Sequence, residues 1–129
     1  PISEEYLQTD ALYPELPHSM FRYEPFVMMY KESTIRKTVD QIFHDAGFSP
    51  TVLFETSNNL TILSMVSAKM ACALIPYHYV KQHPKGVRFY SLTTHPTWKV
   101  CVCYQKNTYL SKAAKDFIQM VDDYWEHGK

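Results

Sequence analysis

The segment from Pro25 to Thr56 narrows the possible folds more than any other, because it sets two apolar runs on either side of a helix marked at both ends. Phe26-Val27-Met28-Met29-Tyr30 is continuously apolar, as a parallel strand buried on both faces is. Ser33 and Thr34 follow, and either can cap a helix. Ile35, Val39, Ile42, Phe43 and Ala46 then recur at offsets 4, 7, 8 and 11, one face of an α-helix. Gly47 stands where a left-handed C-cap belongs, with Pro50 just beyond. Residues 51–55 read as a second strand.

The alternation continues. Thr56, Ser57 and Asn58 are a cluster of N-capping residues before a helix over 59–69, with Leu60, Leu63 and Val66 or Ser67 facing inward. A third strand, 71–75, is wholly apolar and stops at Pro76. A short helix over 77–82 leads to a loop at 83–86, a fourth strand at 87–92, a turn at 93–97 and a fifth strand at 98–104. The last helix starts at Ser111, where Ala114, Phe117, Ile118, Val121, Tyr124 and Trp125 form an apolar stripe at helical spacing. Lys112 and Lys115 at its start oppose the helix dipole. Residues 1–10 carry scattered apolar points, and 11–24, with Pro14, Pro17 and His18, read as an irregular connector. The expected class is α/β, with a parallel-dominated five-stranded sheet flanked by helices. Ligands in such folds sit at the carboxyl ends of strands, beside helix N-termini.

Composition excludes several functions. Thirteen basic residues balance thirteen acidic ones in a chain of 129, whereas a free-standing nucleic-acid binder shows a basic excess or stripe. The uncharged run from Met70 to Val80 contains His78 and Pro76 and falls well short of the roughly 20 residues a membrane helix needs. Three glycines are too few for a phosphate loop, a nucleophile elbow or a dinucleotide fingerprint. No catalytic residue and no cofactor is expected, and the chain does not read as an enzyme. Three cysteines, Cys72, Cys101 and Cys103, do not make a disulfide framework; reduced, buried thiols in a cytoplasmic protein are expected. The opening at Pro1, without Met, reads as a fragment.

From Pro25 onward the residues follow a recognisable grammar. "PFVMMY" precedes "KESTIRKTVDQIFHDAGFSPTVLFET" and "SNNLTILSMVSAKMACALIPYHYV", and the end runs "WKVCVCYQKNTYLSKAAKDFIQMV". Ala46-Gly47-Phe48-Ser49-Pro50 and Ala73-Leu74-Ile75-Pro76 carry the match best. The chain resembles the effector-binding domain of LysR-type bacterial transcription regulators. The resemblance implies one lobe of a type 2 periplasmic-binding-protein-like fold. Residues 1–10 would be a crossover strand, 11–97 the second lobe, 98–107 the return crossover strand, and 108–129 a helix belonging to the first lobe. It also implies a small-molecule effector, an anionic one, bound between lobes. DNA would be contacted only through a missing winged helix-turn-helix head, and a homo-oligomer is expected. The alternatives are a lobe of a solute-binding transport protein, against which the lack of a signal-like opening weighs, and a small α/β enzyme of the same superfold. Two departures from the family pattern stand out: Lys69, and often Ala71, occupy places where the family has Gly, and 11–24 is shorter and more irregular than the family loop.

The residues expected at an effector site are Ser33, Thr34, Thr56, Asn58 and Tyr77. Hydroxyls and free N–H groups at a helix start suit an anion, although an ordinary cap is the default reading of each of the first four. Tyr77 or His78 follows a strand's carboxyl end, where the bland alternative is surface exposure. Lys31, Arg36 and Lys37 could attract a carboxylate, or simply form a solvated helix face. Cys101 and Cys103, two apart on a strand, share a face; a zinc site needs about four ligands, so packed core thiols are expected and no metal. Some family members sense peroxide through a cysteine in the loop after the first strand, but residues 31–34 hold none. His18, His44, His83, His95 and His127 show no ligand spacing.

Overall fold

Two apolar strands align in parallel because a helix carries the chain back between them. In a computed structural model, which describes residues 13–82 and 85–127, β2 (Pro25–Met29) pairs in parallel with β3 (Thr51–Thr56), and α1 (Thr34–Asp45) is the crossover. The register slips between Phe26 and Val27. Phe26 and Met28 point to the face covered by α1, where Ile35, Val39 and Phe43 pack against them. Phe26 meets Phe43 edge-on at 4.8 Å and Phe21 at 6.4 Å. Burying each of these side chains contributes about 1.5–3 kcal/mol. Val27, pointing to the opposite face, is as buried as Phe26, and α2 (Asn59–Ser67) packs against β2 and β3.

The end of α1 matches its sequence signal in detail. Gly47 has φ 73°, its N–H donates to the His44 carbonyl at 3.0 Å, and the Phe48 N–H donates to the Phe43 carbonyl at 3.3 Å. The Phe43 and Phe48 rings meet at 5.4 Å. This is a Schellman motif with its apolar contact. The end of α2 repeats the motif without glycine: Lys69 N–H donates to Val66 O at 2.9 Å and Met70 N–H to Met65 O at 3.1 Å, with Lys69 itself at φ 60°. The missing family glycine is accommodated by a lysine in the left-handed region. The helix therefore stops at Ser67, not at 69 as expected. Leu60, expected inward, is 54% exposed, while Ile62 and Leu63 are buried. With Leu60, Ile62, Leu63, Met65 and Val66 spread around the helix, periodicity could not select the inner face.

The expected five-stranded sheet is not seen among the described residues. The described residues form two two-stranded parallel sheets, β2 with β3 and β1 (Glu15–Leu16) with β4 (Ser91–Leu92). Residues 71–75 run beside β2 but make one isolated bridge, Cys72 to Phe26, with the Val27 N–H donating to Cys72 O at 2.9 Å and the Cys72 N–H to Pro25 O at 2.8 Å. Pairing does not propagate from there. Of the expected strand 87–92 only β4 forms, and 98–104 forms no strand among the described residues. The short helix is found over Tyr77–Gln82, as a 3-10 turn, and another 3-10 turn spans His18–Phe21 in the irregular connector. The expected strand at 1–10 lies outside the described residues.

The chain's internal contacts fall into two units, one ending at Trp98 and one starting at Lys99. The first holds the core just described. The second contains α3 (Lys112–His127), in which the Ser111 hydroxyl caps the start by accepting from the Ala114 N–H at 3.2 Å. None of the described side chains of α3 is buried. Phe117, Met120, Tyr124 and Trp125 are all exposed.

Candidate functional site

The carboxyl ends of β2 and β3 bring four of the five expected site residues to one edge. After β2 the chain turns through Tyr30 to Ser33, with the Ser33 N–H donating to Tyr30 O at 3.0 Å, and α1 begins. After β3 it turns through Thr56 to Asn58 and α2 begins. The Tyr30 N–H donates to Thr56 O at 3.0 Å, so the two loops are stitched together. Two helix N-termini thus open beside each other, each with orphan N–H groups and a partial positive charge.

The four hydroxyl and amide side chains differ in what they already do. Asn58 Oδ1 accepts from the Leu60 N–H at 2.7 Å, a true N-cap. Thr56 is buried, and its Oγ1 accepts from the Asn58 N–H at 3.2 Å. Ser33 is the N-cap residue of α1 by backbone geometry, yet its side chain makes no cap hydrogen bond. Thr34 is exposed in the first turn. Tyr77, the fifth residue, is exposed and meets the Tyr13 ring edge-on at 5.7 Å. His78 is exposed too.

The basic cluster is not what the sequence suggested. Lys31 and Lys37 are exposed, but Arg36 is buried. It lies neither on a solvated face nor open to an anion, because Asp40 at 2.8 Å and Glu55 at 2.7 Å hold its guanidinium. Periodicity placed it outside the apolar stripe; its partner nineteen residues away was not legible.

The cysteines also depart from expectation. Cys101 and Cys103 are exposed rather than packed in a core, because nothing among the described residues covers 98–104. Cys72 is partly buried beside Phe26, and burial, then the charge of Glu24, pushes its thiol up. Among the described residues no group of three or more His, Cys, Asp or Glu side chains could hold a metal. His95 instead pairs with Glu15 at 3.1 Å, and His18 bonds Thr94 at 3.0 Å.

A groove of about 550 Å³ lies along α1, between Lys37, Gln41 and Asp45 on one side and His18 and Thr94 on the other. The Asp45 carboxyl there is held low by the Gln41 hydrogen bond and then by His44. None of the expected site residues lines this groove. The strand-end edge is the better candidate on chemistry, since the N-termini of α1 and α2 both start there and helix starts suit an anion, whereas the groove mixes a lysine with a carboxylate. Among the described residues, no helix is long and apolar enough to cross a membrane.

Comparison with known proteins agrees with this architecture. The family model described as LysR substrate binding domain matches residues 8–126. The uncharacterized HTH-type transcriptional regulator YcgK of Bacillus subtilis (strain 168) is 27% identical over 107 residues, 83% of this chain and 33% of its own. YwbI of the same organism, also an uncharacterized HTH-type transcriptional regulator, is 28% identical over 109 residues, 82% of this chain and 36% of its own. The chain therefore spans about a third of the length of these curated relatives. Among solved structures, the effector binding domain of QuiR in complex with shikimate superposes with a TM-score of 0.70 at 18% identity, over 89% of this chain and 56% of that one. At that identity the likeness is one of fold.

Proposed function

The chain belongs to the LysR substrate-binding domain family, and we propose on that premise that it is the effector-sensing part of a LysR-type transcription regulator. The match over residues 8–126 carries this reading, and the curated relatives, which are HTH-type regulators, favour it over a transport lobe. The domain is non-enzymatic and works in the cytoplasm. DNA is contacted by a winged helix-turn-helix head that these residues do not include. Ligand binding controls that head through the ligand's different affinity for two arrangements of lobes or subunits.

The effector is a small anion held between lobes. The edge formed by Ser33, Thr34, Thr56 and Asn58 supplies one wall, with Tyr77 at its side. Two adjacent helix N-termini favour a carboxylate, and the Ser33 hydroxyl makes no cap bond. Shikimate, bound in the QuiR domain, is itself a hydroxylated carboxylate. In the whole domain a five-stranded sheet is completed. Residues 1–10 and 98–107 cross between lobes, and 108–129 pack on the first lobe. The protein works as a homo-oligomer.

The test is a calorimetric titration of shikimate and a panel of other hydroxy- and aromatic carboxylates into the chain and its Ser33→Ala variant. Binding of one of them to the parent, weakened about tenfold in the variant as for loss of a charge-assisted hydrogen bond, is the expected result. Sequence-specific DNA binding by this chain alone, in a gel shift, would overturn the domain assignment.

A further inference from the structure

Arg36 is the one charged side chain found buried among the described residues, only 6% exposed. It stands in the first turn of α1, and its guanidinium serves three acceptors. Nη1 donates to the carbonyl of Met29, the last residue of β2, at 2.6 Å, and to Glu55 Oε1, near the end of β3, at 2.7 Å. Nε donates to Asp40 Oδ1 at 2.8 Å, one turn along α1. One planar group therefore joins the ends of both strands to the start of the helix between them. The loop 30–33 leaves directly from one anchor, Met29, and the turn 56–58 directly from another, Glu55.

A buried ionic cluster is weak evidence for stability, since well-packed apolar side chains of similar volume often serve as well or better. What the fork adds is geometry: several donors in a fixed plane, which an ammonium cannot reproduce. Around it the main chain contributes the Tyr30 to Thr56 bond that links the two loops. Burial works against the Arg36 charge, but the hydrogen bonds to Asp40 and Glu55 outweigh it and the group titrates higher than usual. The clamp therefore keeps its charge wherever the two carboxylates keep theirs.

We infer that Arg36 is a positioning residue for the effector edge: it locks the loop 30–33 and the turn 56–58 into one rigid rim, fixing the spacing between the N-termini of α1 and α2. This rests on the reading of that edge as the effector site. The role is one of support and not of ligand contact: Nε and Nη1 are engaged by Asp40, Met29 and Glu55. It sets where the ligand's partners stand.

Amide hydrogen exchange, resolved by residue with NMR on the 129-residue chain, tests this without a ligand. In Arg36→Lys, exchange at the amides of Tyr30, Ser33 and Asn58 rises about tenfold or more, while the amides of Ala46 and Ala68, at the far ends of α1 and α2, change less than about twofold. Glu55→Gln keeps an acceptor oxygen but loses the charge, and falls between the parent and Arg36→Lys. A uniform rise at all amides would mean that Arg36 acts only through global stability, and would overturn the proposal. So would a lysine variant indistinguishable from the parent, since charge alone would then suffice. Arg36→Met is a harsher variant, and the two conservative ones decide the question if it does not fold. The carboxylate titration stands apart: a rim that loosens in a chain binding no carboxylate leaves the clamp in place and removes the effector reading of the edge.

Discussion

Gly47 and Lys69 hold the same position in two helices: each is the first residue beyond the C-cap, at φ 73° and 60° respectively, donating its N–H back into the last turn. A Cβ added at Gly47 meets nothing within 4 Å, so only the backbone conformation penalises a substitution there. Gly47→Ala is expected to lower stability by about 1 kcal/mol, the usual penalty of a left-handed L-residue. Lys69→Gly relieves the same strain and gains up to about 1 kcal/mol, less the added freedom of the unfolded chain. Urea denaturation of both variants checks the pair; a stabilising Gly47→Ala would show that the C-cap geometry is wrong.

Phe26 lies between Phe21, Phe43 and Cys72 and is almost fully buried. Truncating it to Ala leaves a cavity at the centre of the β2–α1 interface and is expected to remove about 3–5 kcal/mol. Tyr109, which is 86% exposed, is the control: Tyr109→Ala should change stability by less than about 0.5 kcal/mol. Equal effects in thermal melts would contradict the packing described.

Ser33 and Asn58 are both N-cap residues, but only Asn58 bonds its helix. Asn58→Ala is therefore expected to lower stability by about 1 kcal/mol, and Ser33→Ala by a few tenths at most. Melting curves of the two variants without ligand decide this. A large loss in Ser33→Ala would mean that its hydroxyl caps α1 in solution.

Cys101 and Cys103 are exposed while Cys72 is half-buried with its thiol pushed up. A thiol reagent in mild excess should modify two cysteines quickly and the third slowly, because the thiolate is the nucleophile and burial disfavours it. The same shift fixes a pH dependence. A raised folded pKa means that the contribution to stability is complete below the unfolded thiol's pKa and is lost as pH rises through the folded one. Alkaline destabilisation should be smaller in Cys72→Ala than in the parent, each compared with its own stability at neutral pH.

The stripe of Phe117, Tyr124 and Trp125 on α3 is exposed, and apolar patches of that kind tend to find a partner. Light scattering behind a sizing column should show mass rising with concentration, and less so in Phe117→Ser. A constant monomer mass in both would count against self-association through this face.

Much of the fold was legible because local chemistry dictates it. The apolar run at Phe26, the 3.6-residue stripe of Ile35, Val39 and Phe43, and the Gly47 stop are each set within a few residues, and β2, α1 and β3 follow from them. The strand-helix-strand order then puts Ser33, Thr34, Thr56 and Asn58 at one edge, since parallel strands share a carboxyl end. Tertiary structure alone decided the rest. Arg36 is drawn inward by Glu55, nineteen residues away; Leu60 rather than Ile62 faces solvent because the apolar residues of α2 are spread around it and packing on β2 and β3 selects the inner side; and Cys101 and Cys103 are exposed because no strand forms at 98–104 among the described residues. Periodicity records which side of an element is apolar. Which groups meet across elements depends on distances in space, and sequence spacing does not encode them.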